Sequence, residues 1–253
     1  MDKERAAKYQ SAYLADYGFE SVMVRYRQKL LLERLEKHKP EVVVEIGCGS
    51  ELLYEQYVRQ YGAVECWIIV EPASQFAESA RTSGLQNLHV FCDFFEKTVG
   101  TLKQMLPRNP DLVICSGLLH EVPSASELLS AIVKIMGEKT LLHLNVPNAE
   151  SFHRRLAKKM GLISEFTAMS DRNIKLLQQR VYDMESLQFD LLAMNFDVIE
   201  KGGYLLKPFT HKQMQEISSV IGDQVLDGLY LLGKEFPDQA SEIFIEAYSK
   251  YRG

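Results

Sequence analysis

The apolar positions of this chain change period along its length, and the period marks the elements. Over residues 20–37, ESVMVRYRQKLLLERLEK, Val22, Tyr26, Leu30, Leu31 and Leu35 recur at helical spacing with charges between them, which predicts an amphipathic helix closed before Pro40. The pattern then shortens to continuous β-rich runs: VVVEI at 42–46, CWIIV at 66–70, LHVFC at 88–92, LVIC at 112–115 and LLHLNV at 141–146. Such runs suit parallel strands covered on both faces. Segments of helical potential separate them at 51–61, 73–83, 96–106 and 124–137, an alternation that predicts right-handed crossovers in a doubly wound, Rossmann-like α/β sheet.

After Pro147 the rhythm breaks. Residues 148–192 read as mostly helical, through AESFHRRLAKKMGLI and DRNIKLLQQRVYDMESLQFDLLAMN, and form a cap inserted after the fifth strand. Strand patterns return at FDVIEKGGYLLK (196–207) and EIFIEAYSK (242–250), with helical signal between them. Gly202 and Gly203 either sit within the first of these or divide it in two, so the mixed sheet has about seven strands. Near the start, YQSAYLADYGFE places Tyr9, Tyr13 and Tyr17 on one aromatic face of a helix, a stripe that serves core packing or a lid over a cleft. No repeat, low-complexity tract or linker marks a second unit, so residues 1–253 are read as a single domain.

Composition narrows the partners. The 253 residues are 46% hydrophobic, which suits one large globular core, and the formal charge is −5 with the basic residues scattered. That distribution argues against a nucleic-acid partner. Cys48, Cys66, Cys92 and Cys115 show no paired metal spacing and lie in or beside apolar runs, which reads as reduced core thiols. The first residues, MDKERAAKYQ, are charged, and no apolar run approaches the roughly 20 residues of a membrane span. The expectation is a cytoplasmic protein without a membrane span, its oligomeric state left open and a homodimer included.

The sharpest chemical feature is VVVEIGCGS, where the first strand runs into Gly47 and Gly49 before a helical segment. Glycine there allows a tight turn and a close approach of backbone to a ligand near the next helix. Glu71 closes the second strand about 20 residues later, where an acid reaches the two ribose hydroxyls of an adenosine. Asp93 follows the third strand at the equivalent end, so the acids and the glycine turn converge on one crevice at the carboxyl edge of the sheet. A dinucleotide turn, GxGxxG, would need glycine at position 52, which is Leu52 here. Glu45 in ExGxG, with Gly47, instead lines a pocket for a cationic ammonium.

With these residues in this order the chain resembles the class I S-adenosylmethionine methyltransferases over nearly its whole length. The resemblance assigns EIGCGS to the family's first motif, with Glu45, Gly47, Cys48 and Gly49 at the cofactor, Glu71 to its ribose acid, and FCDFFE to its adenine-flanking acid, Asp93, beside Phe94. CSGLLHEV at 115–122 looks like the loop after the fourth strand, with Ser116 at the cofactor. NVPNAESFHRRLAKKMGLI further resembles a bacterial subgroup associated with polysaccharide and lipopolysaccharide gene clusters. The resemblance implies a helical lid at 1–38, a cofactor core at 39–147, an acceptor cap at 148–192 and closing strands and helices at 193–253. In that arrangement Tyr13 on the lid contacts the cofactor, and Arg25 or Arg27 binds its methionine carboxylate.

The loop after the fourth strand is also where a transferred methyl would point. His120 there is the candidate base for a hydroxyl proton, with a helix-entry, pocket-shaping role as its alternative; Glu121 is either the base or the group that orients it. His143 lies inside the fifth strand and reads as a satisfied core histidine, whereas Asn145 and Asn148 lie nearer its carboxyl end, toward the acceptor. His153, Arg154 and Arg155 open the cap helix as a solvated face or as contacts to an anionic acceptor. The expected reaction is metal-free in-line methyl transfer to a small hydroxylated acceptor, a sugar or related metabolite, ahead of N- or C-methylation. A non-catalytic binding module and a nicotinamide oxidoreductase are the rivals.

Overall fold

The computed structural model describes residues 3–15 and 17–250; the remaining residues of the expected domain lie outside the described residues. Two helices, α1 (Lys3–Ala15) and α2 (Glu20–His38), precede the first strand. The alternation then follows as β1 (Val42–Ile46), α3 (Leu53–Tyr61), β2 (Cys66–Val70), α4 (Ser74–Arg81), β3 (Leu88–Phe91), α5 (Phe95–Met105), β4 (Leu112–Ser116), α6 (Ala125–Val133) and β5 (Leu141–Pro147). The cap holds α7 (Phe152–Lys159), α8 (Asp171–Lys175) and α9 (Met184–Ala193), and the chain closes with β6 (Phe196–Tyr204), α10 (His211–Glu235) and β7 (Glu242–Ser249).

One seven-stranded sheet results, in the order β3-β2-β1-β4-β5-β7-β6. Strands β1 to β5 pair in parallel, while β7 inserts between β5 and β6 and runs antiparallel to both. The strand order reverses between β1 and β4, which places a crevice at their carboxyl ends. Every residue of β1 and β2 is buried, as continuous apolar runs require of a doubly covered sheet. The third run departs from that expectation: β3 is the sheet's edge, with His89 exposed and its neighbours half-buried.

The cap is less helical than its periodicity suggests. α8 ends after five residues, and Leu177 takes a left-handed φ of 56°, so the stretch to Asp183 crosses the molecule as extended chain. Its backbone is tied down: Gln179 and Arg180 donate to the carbonyl of His120, and Asn148 bridges to Tyr182. Gly202 and Gly203 do not divide the sixth strand, which is continuous through them and carries its irregularity near Val198 and Glu200.

Helix α2 lies across the sheet on buried ion pairs. Arg27 pairs with Glu242, and Arg34 lies 3.6 Å from Glu246, so residues one heptad apart on the helix match residues four apart on β7. At about 1.5 and 3.3 Å per residue those spans are about 10 and 13 Å, close enough for long side chains to meet. His143 is buried in the core as expected but only half satisfied: Nδ1 lies 3.2 Å from Glu246, while Nε2 meets no partner among the described residues.

On the same face α10 crosses β6 closely at Gly233. A Cβ there would meet the backbone nitrogen of Leu205 at 2.1 Å and the carbonyl carbon of Tyr204 at 2.5 Å. Gly228, in the same helix, faces open space. Alanine gains roughly 1 kcal/mol over glycine in a helix interior, whereas overpacking against rigid backbone costs about 1–3 kcal/mol or more. Gly233→Ala should therefore lower the urea midpoint and Gly228→Ala leave it unchanged or raise it. Equal midpoints for the two variants would show that the crossing is not sterically fixed.

Candidate active site

A cavity of about 260 Å3 opens at the switch between β1 and β4. Its floor is the turn after β1. Gly47 and Gly49 have φ of 79° and 63°, a left-handed region that costs a side-chain-bearing residue roughly 1–2 kcal/mol, and a Cβ on Gly49 would meet no protein atom within 4 Å. The turn is thus shaped for approach from the cavity side. It is held by Glu71, whose carboxylate accepts the backbone N–H of Cys48 at 3.1 Å, of Gly49 at 3.4 Å and of Ala73 at 2.8 Å. Glu45 lines the same floor and accepts Trp67 Nε1–H at 2.9 Å.

Both carboxyls are held up to about 7, because burial disfavours their charge more than these hydrogen bonds favour it. Their proximity also raises Glu45. Among the described residues neither has a cationic side chain within ion-pair distance. Two desolvated acids facing one cavity without a counter-charge fit a ligand that brings a positive charge and hydroxyls. A sulfonium nucleoside has both, and the residues present fit it.

The other wall is built from the ends of several elements. Ser116 ends β4 and Gly117 follows it, and His120 and Glu121 come next at the cavity. His120 is buried, its Nδ1 has no protein partner, and its Nε2 lies 3.5 Å from Glu121 Oε1. Burial, with help from Arg27, presses His120 down to about 3, and burial pushes Glu121 up to about 8 against a hydrogen bond from Tyr9. Tyr9 and Tyr13 stack at 5.8 Å and roof the cavity, with Tyr13 edge-on to Phe76 at 6.3 Å. Tyr17 lies beyond the end of α1 and hydrogen-bonds Glu51.

Of the residues the sequence singled out, Glu45, Gly47, Cys48, Gly49, Glu71, Ser116, Tyr13, His120 and Glu121 all border this cavity. Three do not. Arg25 points outward into an exposed ion pair with Asp223, and of the two α2 arginines it is Arg27, two residues on and on another face of the helix, that borders the cavity. Asp93, just after β3, accepts its neighbour Phe94's N–H at 2.8 Å at the head of α5, and neither borders the cavity. In the cap, His153 and Arg154 reach the cavity while Arg155 pairs with Glu150; Asn148 reaches it and Asn145 is spent on Tyr204 and Glu242. Sequence reasoning missed Glu20, Arg172, Lys207, His211 and Glu242, which complete the wall. An acid repeat inside an apolar strand, Glu242 and Glu246 in EIFIEAYSK, was the one signal available.

Sheet order, glycine turn and paired acids define the class of S-adenosylmethionine-dependent methyltransferases. The comparisons agree. The profile of the family described as Methyltransferase domain matches residues 18–201, and the chain belongs to that family. No curated protein matches it. Among solved structures it is similar to a protein of Thermotoga maritima described as a possible histamine N-methyltransferase, at 16% identity and a TM-score of 0.59 over 97% of this chain and 100% of that one. It is also similar to the plantazolicin methyltransferase BamL, solved with S-adenosylhomocysteine and a triazolic substrate analogue, at 14% identity and a TM-score of 0.57 over 98% of both chains. A methyltransferase of Mesorhizobium loti gives 13% and 0.55 over 85% of this chain and 96% of that one. The chain is an S-adenosylmethionine-dependent methyltransferase, and S-adenosylmethionine is its cofactor.

Glu71 is the acceptor expected for the cofactor's hydroxyls, a role that its removal tests. Glu71→Ala should weaken S-adenosylmethionine binding by about 2 kcal/mol, roughly thirtyfold, by calorimetry. Unchanged affinity in a variant with native circular dichroism would remove Glu71 from the cofactor site.

Proposed function

We propose that this enzyme O-methylates a small hydroxylated acceptor and that Glu121 takes the hydroxyl proton. The observation that supports this reading is the pair His120 and Glu121, adjacent in sequence and 3.5 Å apart, with burial driving their proton affinities in opposite directions. Two titratable groups pushed apart by one environment divide acid–base roles between them. A histidine near 3 stays neutral at physiological pH and is a weak proton acceptor; a carboxyl near 8 is a strong one once ionised. This reverses the order that the loop's sequence suggests, in which His120 comes first.

When bound, S-adenosylmethionine supplies an electrophilic methyl group on a sulfonium, which becomes a neutral thioether on transfer. The protein's part is to place the acceptor oxygen and to remove one proton. Glu45 and Glu71 would hold the cofactor half through charge and hydrogen bonding, and Arg27, which lines the cavity over the Gly117 turn, would pair with its methionine carboxylate. The unpartnered Nδ1 of His120 hydrogen-bonds the acceptor oxygen, while Glu121 accepts its proton. Tyr9 and Tyr13 keep water from the crevice, so the electrostatic contacts act at low dielectric. Recognition of a sugar fits the polar cavity wall, and placement alone supplies much of the rate.

Glu121→Gln keeps the shape and removes the base. Its kcat should fall about 10²- to 10⁴-fold with S-adenosylhomocysteine affinity nearly unchanged, while His120→Ala costs less. Wild-type kcat/KM should rise with pH toward a limb near 8, because the carboxyl must first ionise, and that limb should vanish in Glu121→Gln. Near-wild-type turnover by Glu121→Gln would reject Glu121 as the base.

A further inference from the structure

The acceptor end of the cavity carries a charge that the protein leaves unbalanced. Lys207, just after β6, is only 3% exposed, and its ammonium borders the cavity. Among the described residues its hydrogen-bond partner is His211 Nδ1, at 2.7 Å. No carboxylate lies within ion-pair distance of it among the described residues. The nearby acids are already engaged: Glu20 holds Arg27, Arg172 and His211 at 3.0–3.2 Å, and Glu242 holds Arg27. Arg154, facing the same space, donates to the carbonyls of Ala149, Phe166 and Ala168 and meets no acid among the described residues. His153 and His211 are both held below their ordinary range, by burial first and then by Lys207.

We propose that this end of the cavity is an oxyanion subsite, in which Lys207, Arg172, Arg154, His153 and His211 bind a phosphate or carboxylate carried by the acceptor itself. Isolated buried cations are costly, and the structure contains at most a partial answer to this one. Burial and the neighbouring arginines press the Lys207 ammonium down to about 7, so the apo protein holds it at the edge of losing its charge. A bound oxyanion restores the balance and accepts charge-assisted hydrogen bonds from several donors at once. The inference rests on the O-methylation reading only in narrowing its substrates: the hydroxyl faces Glu121 and the acceptor's anionic group anchors at Lys207. Both residues border one cavity.

The test uses the full chain and needs no methyl transfer. Inorganic phosphate and acetate are each titrated at constant ionic strength, with thermal stabilisation as the readout. A saturable stabilisation by either anion is expected; response to phosphate alone assigns a phosphorylated acceptor and response to acetate alone a carboxylic one. Lys207→Met should weaken it at least tenfold and Lys207→Arg should retain it. In the wild-type protein, carbon-13 NMR of the lysine ε-methylene should show the Lys207 pKa rising when the anion is added. Absence of saturation with both anions, a Lys207→Met response equal to wild type, or a Lys207 resonance that ignores the anion each overturns the proposal. A protein that binds phosphate here yet methylates no hydroxyl would instead strike the O-methylation reading and leave the subsite standing.

Discussion

Everything at the carboxyl edge of this sheet answers to one constraint: a charge taken out of water must find a counter-charge or give up its ionisation. Glu45, Glu71 and Glu121 give way in part, each held protonated to an unusually high pH by its burial. Glu20 does the opposite, kept ionised against its own desolvation by His211, Arg27 and Arg172. A fold selected for stability alone would fill such a crevice with apolar side chains. This one holds acids without a cationic partner at one end and a cation without a carboxylate partner at the other, which is the imbalance that the proposed ligands would complete.

The same constraint joins the N-terminal helices to the site. Arg27 and Arg34 of α2 are compensated by Glu242 and Glu246 of β7, so the helix registers on the strand, and removing one member of such a buried pair typically costs about 3–5 kcal/mol. The register has a functional consequence, because Arg27 also packs over Gly117 and pairs with Glu20, both of which line the cavity. Packing of α2 and geometry of the acceptor wall are therefore one arrangement, and α1 carries Tyr9 and Tyr13 over the crevice as an extension of it.

Most of the fold was legible because its signals are local. Continuous apolar runs become β1, β2, β4 and β5, and the glycine turn sits where strand meets helix. The edge position of β3 was not legible: LHVFC looks like the other runs, and only the strand order exposes it. Arg25 and Arg27 are both charges on one amphipathic helix, and a difference of two residues, about 200° around the axis, decides which meets the sheet. The cap's loss of helix between Lys175 and Met184 follows from contacts to His120 and Asn148, distant in sequence. The acceptor wall was the least readable part, since Glu20, Arg172, Lys207 and His211 come from four separate segments and no spacing links them.

The central claim is that buried, unpaired Glu45 and Glu71 bind a cationic cofactor, and the pH dependence of that binding tests it most directly. The sign follows from linkage. Both carboxyls sit near 7 in the folded protein, above the ordinary carboxylate range, so below pH 7 they are protonated and must lose protons to meet the ligand's charge. Calorimetry of S-adenosylmethionine across pH 6 to 8 should show affinity rising with pH through about 7 and levelling above it, with a shallower rise in Glu71→Gln. A flat profile, or a slope that Glu71→Gln leaves unchanged, would contradict the account.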